Sequence, residues 1–98
     1  MSPSKTALTE EELNQLLRER PDWSLRDGKL TRQWTFKDFV AAMGFVNHVA
    51  ELAQQAQHHP DIDIRYNRVE LALVSHDAGG ITARDARMAR QLSAAFPA

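Results

Sequence analysis

Apolar positions change period several times along this chain, and each change marks an element. Leu13, Leu16 and Leu17 recur at helical spacing behind Thr9-Glu10-Glu11-Glu12. That tetrad has the form of a capping box, in which the Thr9 hydroxyl accepts from the amide three residues on while the Glu12 carboxylate reaches back. Glutamates in the first turn also suit the helix dipole. Pro21 lacks the amide that a helix interior needs, so the helix stops near Arg20. From Trp23 the period falls to two. Trp23 and Leu25 alternate, Asp27-Gly28 forms a two-residue turn, and Leu30, Arg32, Trp34 and Phe36 make the returning strand.

Thr35 or Asp38 then caps a long helix. Its apolar stripe reads Phe39, Val40, Met43, Val46, Val49, Ala50 and Ala53, and it ends before Pro60. Ile62, Ile64 and Tyr66 alternate as a third strand, Asn67-Arg68 turns, and Val69, Leu71 and Leu73 alternate in a fourth strand running to Ser75. Asp77-Ala78-Gly79-Gly80 is a loop. Thr82 and Asp85 form a second capping pair ahead of a helix carrying Met88, Ala89 and Leu92 to about Phe96. The order α-β-β-α-β-β-α, with hairpins separated by helices, predicts an α+β fold of two layers, an antiparallel sheet covered by helices on one face. A single domain spans residues 1–98, with residues 1–8 as a loose tail that has little to bury.

Composition narrows the function. A chain of 98 residues builds one core and buries a modest share of its surface, so a shallow cleft, or a site completed by oligomerisation, is expected. A net charge of −1 offers no basic stripe for nucleic acid. The absence of cysteine excludes disulfides, thiol nucleophiles and Cys-based zinc sites. No apolar run approaches the roughly 20 residues that span a bilayer, and nothing behind Lys5 resembles a signal peptide. The expected location is the cytoplasm, with no membrane partner.

Candidate chemistry rests on histidine. Of the four, His58 and His59 fall at the end of the long helix before Pro60, and His76 ends the fourth strand, on the face of Glu70, Ala72 and Val74. Element ends facing a loop are where clefts open. Proline biases His59 away from helical geometry, so the two adjacent rings should diverge. Imidazole exchanges protons near neutrality, and positioned proton transfer contributes about 10²- to 10⁴-fold to a rate. Bland readings stand beside these: a cation at a helix C-terminus is favourable in itself, and Asp85 can serve simply as a capping residue. Three imidazoles can hold zinc, but adjacent histidines differ from the i, i+4 pair that places two ligands on one helical face. His48 reads as structural, Tyr66 as cross-strand packing, and Trp23 and Trp34 as core, though an indole also stacks on flat heterocycles.

His58-His59-Pro60, Tyr66, the segment His76-Asp77-Ala78-Gly79-Gly80-Ile81-Thr82 and Asp85, with Trp23 and the Phe-rich start of the long helix, resemble the signature of the pterin-4a-carbinolamine dehydratases from Thr9 to Phe96. The resemblance implies a four-stranded antiparallel sheet with three helices on one face. It also implies dehydration of 4a-hydroxytetrahydropterin to quinonoid dihydropterin, in pterin recycling after an aromatic amino-acid hydroxylase. No cofactor or metal is implied, since the pterin is the substrate. By resemblance, His58 and His76 form an acid/base pair whose roles are open, His59 binds the pterin, Pro60 shapes the pocket, Asp85 supports the site and Trp23 lines it. Homodimers or homotetramers are implied as well.

One position departs from the family pattern. Gln54, four residues before His58 and so on its helical face, stands where active members carry an ionisable residue. Glutamine can orient the ring but supplies no charge, so weakened catalysis is expected. Two other readings follow. One is a protein-binding or dimerisation module that has kept the fold, as in relatives that partner a homeodomain transcription factor; the other is a metal-dependent hydrolase or carrier.

Overall fold

Thr9 opens the first helix as its spacing requires: Glu12 N donates to Thr9 Oγ1 at 3.1 Å and Thr9 N donates to Glu12 Oε1 at 2.9 Å. The computed structural model describes residues 6–97. Within them the elements run α1 (Glu10–Glu19), β1 (Ser24–Arg26), β2 (Lys29–Thr35), α2 (Phe39–Ala56), β3 (Asp61–Arg65), β4 (Arg68–Leu73) and α3 (Ala83–Ala95), in the predicted order. Asp27 and Gly28, at φ 53° and 76°, form the left-handed pair that closes the β1–β2 hairpin without splaying its strands. Asp38 caps α2 by accepting from Ala41 N at 2.8 Å.

The sheet order is β1-β2-β4-β3, with every neighbouring pair antiparallel. Alternation along the central strands sends Leu30, Trp34, Val69, Leu71 and Leu73 into one core. There they meet Leu16 of α1, Ala42, Phe45, Val49 and Ala53 of α2, and Met88, Ala89 and Leu92 of α3. Arg32 lies buried on the same inward face. Its guanidinium bonds Asp22, Ser93 Oγ at 3.1 Å and Pro97 O at 3.0 Å, and sits 4.3 Å from the Trp34 ring centroid. Burial lowers its pKa from the ordinary value, and Asp22 opposes that shift. This cluster ties the end of α3 to β2.

Several expectations are corrected. The buried face of α2 is Ala42, Phe45, Val49 and Ala53, whereas Val40 is 77% exposed, Phe39 48%, and Ala50 is also exposed. The first half of α2 is apolar on more than one side, so periodicity could not select the face that meets the sheet. The β3–β4 turn is Tyr66-Asn67, not Asn67-Arg68, because Arg65 pairs with Arg68. Asn67 is drawn aside by a reciprocal clamp, Phe36 N to Asn67 O and Asn67 Nδ2 to Phe36 O, both 2.8 Å. β4 ends at Leu73, and His76 begins a 3₁₀ turn, His76–Ala78, so strand parity does not govern its side chain. Of the expected tail, Ala7 bridges Thr82 and Leu8 N donates to Ile81 O at 2.7 Å, so both are anchored; residues 1–5 lie outside the described residues.

Candidate active site

The end of α2 decides where its histidines go. After Ala56 the chain turns left-handed at Gln57 (φ 55°), and the amides of Gln57 and His58 both close back onto Ala53 O. This is the double closure typical of a helix terminus. The reversal takes His58 off the face it would share with Gln54. Its ring instead reaches Asp85, with Nε2 to Oδ1 at 2.5 Å and side chains only 11% and 0% exposed. Gln54 meets the other histidine: His59 Nε2 lies 3.1 Å from Gln54 Oε1, both residues being exposed. The expectation that Gln54 orients His58 is therefore corrected, and His58 does have a carboxylate partner.

Asp85 sits in the first turn of α3 because Thr82 and Asp85 form the predicted capping box, Thr82 N donating to Asp85 Oδ2 at 2.8 Å. The Ser75 hydroxyl donates to the same oxygen at 2.9 Å. With Oδ2 occupied by two donors, Oδ1 remains for His58. A carboxylate only accepts, so a hydrogen lies on His58 Nε2, and Nδ1 is the ring nitrogen that Asp85 does not engage. Asp85 thus caps a helix and fixes an imidazole tautomer at once.

His76 is exposed, and its ring makes no hydrogen bond among the described residues. Its flanks are held instead. Ser75 and Gly80 exchange backbone bonds of 3.0 and 3.3 Å across the base of the loop, and Arg84 donates to Asp77 Oδ1 at 2.6 Å. Gly79, at φ 70°, supplies the left-handed residue that ends the 3₁₀ turn. Pro60, half-buried, joins His59 to β3. Trp23 is elsewhere. It is 3% exposed, donates Nε1 to Ser93 Oγ at 2.9 Å and packs edge-on to Trp34. Ser93 is eight residues beyond Asp85 on α3, about 12 Å of helix. The expected lining role for Trp23 is corrected to a core role: its indole N–H needs a buried acceptor, and Ser93 provides one.

Residues 6–95 match the family model described as "Pterin 4 alpha carbinolamine dehydratase". The chain belongs to this family. A relative from Thermomicrobium roseum, named "Putative pterin-4-alpha-carbinolamine dehydratase", is 58% identical over 78 residues, covering 80% of this chain and 84% of its own. One of the same name from Chloroflexus aurantiacus is 55% identical over 82 residues, covering 84% and 88%. Among solved structures, "transcriptional coactivator/pterin dehydratase from Brucella Melitensis" matches with a TM-score of 0.84 at 41% identity, over 91% of this chain and 97% of that one.

Within this carbinolamine dehydratase fold, sequence reasoning missed Ser75. Its signal was present: Val69, Leu71, Leu73 and Ser75 share strand parity, so a hydroxyl stands where the alternation calls for a buried apolar side chain. Among the described residues, no group of three or more His, Cys, Asp or Glu is gathered where a metal ion could be held. No helix among them is long and apolar enough to cross a membrane.

Proposed function

We propose that this dehydratase-family chain removes water from a 4a-hydroxytetrahydropterin, such as the biopterin form, giving the quinonoid dihydropterin, with neither metal nor cofactor. The carrying observation is the buried contact between Asp85 Oδ1 and His58 Nε2. It leaves Nδ1 of His58 as a base for the proton on the ring nitrogen. As that proton leaves, the nitrogen lone pair forms the C=N bond and the C4a–O bond breaks; His76 delivers a proton to the departing oxygen, and water is released. Atoms and charges balance without an oxidant. His59, steadied by Gln54, binds the pterin, and Pro60 holds the entry to β3 beside it. The reaction belongs to pterin recycling after aromatic amino-acid hydroxylation.

Purified protein with a chelator present should accelerate quinonoid dihydropterin formation, and His58→Ala and His76→Ala should each lose about 10²-fold or more. A native rate equal to the uncatalysed one rejects the enzymatic reading. Activity lost on chelation rejects the metal-free one.

A second reading, a protein-binding or dimerisation module, is supported by the exposed apolar pair Phe39 and Val40 on α2 and by the Brucella neighbour's being named a transcriptional coactivator as well as a pterin dehydratase. It predicts partner capture with no pterin-dependent rate. Self-association as a dimer or tetramer is part of both readings, given the exposed Ile62 and Ile64 on edge strand β3. Light scattering measures it.

A further inference from the structure

Ser75 stands between the two halves of the site. Its side chain is in the buried layer under the loop, 2% exposed, and its backbone closes the loop that carries His76. The direction of each bond around it follows from its neighbours. Arg84 N, an obligate donor, gives its hydrogen to Thr82 Oγ1 at 3.2 Å. Asp85 Oδ2 accepts the Ser75 hydrogen at 2.9 Å. The 2.9 Å contact between Ser75 Oγ and Thr82 Oγ1 must then run from Thr82 to Ser75. A one-way chain results: Arg84 N–H to Thr82, Thr82 to Ser75, Ser75 to Asp85, with Asp85 accepting from His58 on its other oxygen. Aligned bonds of this kind polarise one another in a low-dielectric interior.

We propose that Ser75 is a positioning residue for the dehydration, holding the Asp85 carboxylate at the angle that fixes His58 and, through its backbone, setting the loop of His76 against that ring. It touches no reacting atom. Three features support it. The serine hydroxyl is the side-chain donor to Asp85 Oδ2, the other donor being the Thr82 amide. The carboxylate is fully buried, so no solvent replaces a lost donor. Ser75 also immediately precedes His76, so one residue anchors both histidines. The role rests on the proposed dehydration, but the geometry of His58 is measurable without turnover.

The test compares native protein, Ser75→Ala and Ser75→Thr, each full-length and labelled with ¹⁵N-histidine. In native protein the Nε2–H of His58 should resonate downfield and exchange slowly with water. In Ser75→Ala that proton should exchange at least about tenfold faster and kcat fall about tenfold with KM little changed, as expected for loss of one buried hydrogen bond. Ser75→Thr keeps the hydroxyl in an extended backbone (φ −108°, ψ 98°) and should restore both readouts. Should Ser75→Ala unfold, Ser75→Cys, close in volume with a weaker donor, is read in its place and should show the same two losses. An unchanged His58 signal in the folded alanine or cysteine variant overturns the proposal, as does failure of threonine to rescue. If native protein has no dehydratase rate, the reaction assignment falls while the His58 signal still decides the role of Ser75.

Discussion

Replacing Asp85 by asparagine inverts a single contact while nearly preserving shape. Thr82 N and the Ser75 hydroxyl both donate to Oδ2, at 2.8 and 2.9 Å. The backbone amide cannot become an acceptor, so the asparagine oxygen must take that side. Its NH₂ then faces His58 Nε2 at a position where the native oxygen stands 2.5 Å away. Two donors cannot share that contact, and the imidazole escapes by moving its hydrogen to Nδ1. Packing and both cap bonds survive, so the stability loss should stay near 1–2 kcal/mol, the net worth of one charge-assisted bond exchanged for a neutral one. The rate is affected far more, because the lone pair proposed as base now carries a hydrogen. A fall of about 10²–10⁴ in kcat is expected, or about 3–5 kcal/mol in the barrier. Stopped-flow measurement of quinonoid dihydropterin formation, urea unfolding and ¹⁵N spectra of the ring together check this. Wild-type turnover in Asp85→Asn, or an Nε2–H tautomer retained in it, would refute the reasoning.

Gln54→Glu acts on His59 rather than His58, so it should change KM while leaving kcat within about threefold, a barrier change under 1 kcal/mol; steady-state kinetics separate the two. Ser93→Ala removes the hydroxyl shared by Trp23 and Arg32, and should cost about 1–3 kcal/mol in urea unfolding for the buried donors left unpaired. Leu92→Ala empties a position with 0% exposure and should cost about 2–5 kcal/mol by the same measurement. The Glu19 carboxyl, held below its ordinary 4.5 chiefly by its hydrogen bond from Arg90, favours the fold above pH 4.5 and loses that contribution as the pH falls through its depressed value. Glu19→Gln should therefore lower the neutral region of a thermal-stability profile slightly, leave its most acid region close to native, and so flatten the acid limb.

The elements were legible because their signals are local. Thr9 with Glu12, Thr82 with Asp85, and Asp27-Gly28 act over two to four residues, and each gives in the structure the cap or turn that it spells. The α-β-β-α-β-β-α order and the two-layer sheet follow from those signals and from the strand alternation. Failures came where a second element decides. Nothing in α2 alone says that Phe45 meets the sheet while Val40 faces out; the sheet chooses among several apolar sides.

The histidine site divides in the same way. Sequence by itself determined which residue types are available, that His58 and His59 end a helix at Pro60, and that Asp85 occupies the first turn of another. Only the tertiary structure decided who partners whom. The left-handed Gln57 rotates His58 away from Gln54 and onto a carboxylate 27 positions along the chain, while Gln54 is left to His59. Ser75 acquires its place for the same reason: a buried hydroxyl just past the end of β4 must find partners, and the fold brings Asp85 and Thr82 to it. Caps and turns are settled by neighbours in sequence, but the pairing of buried polar groups is settled by which of them folding leaves without water.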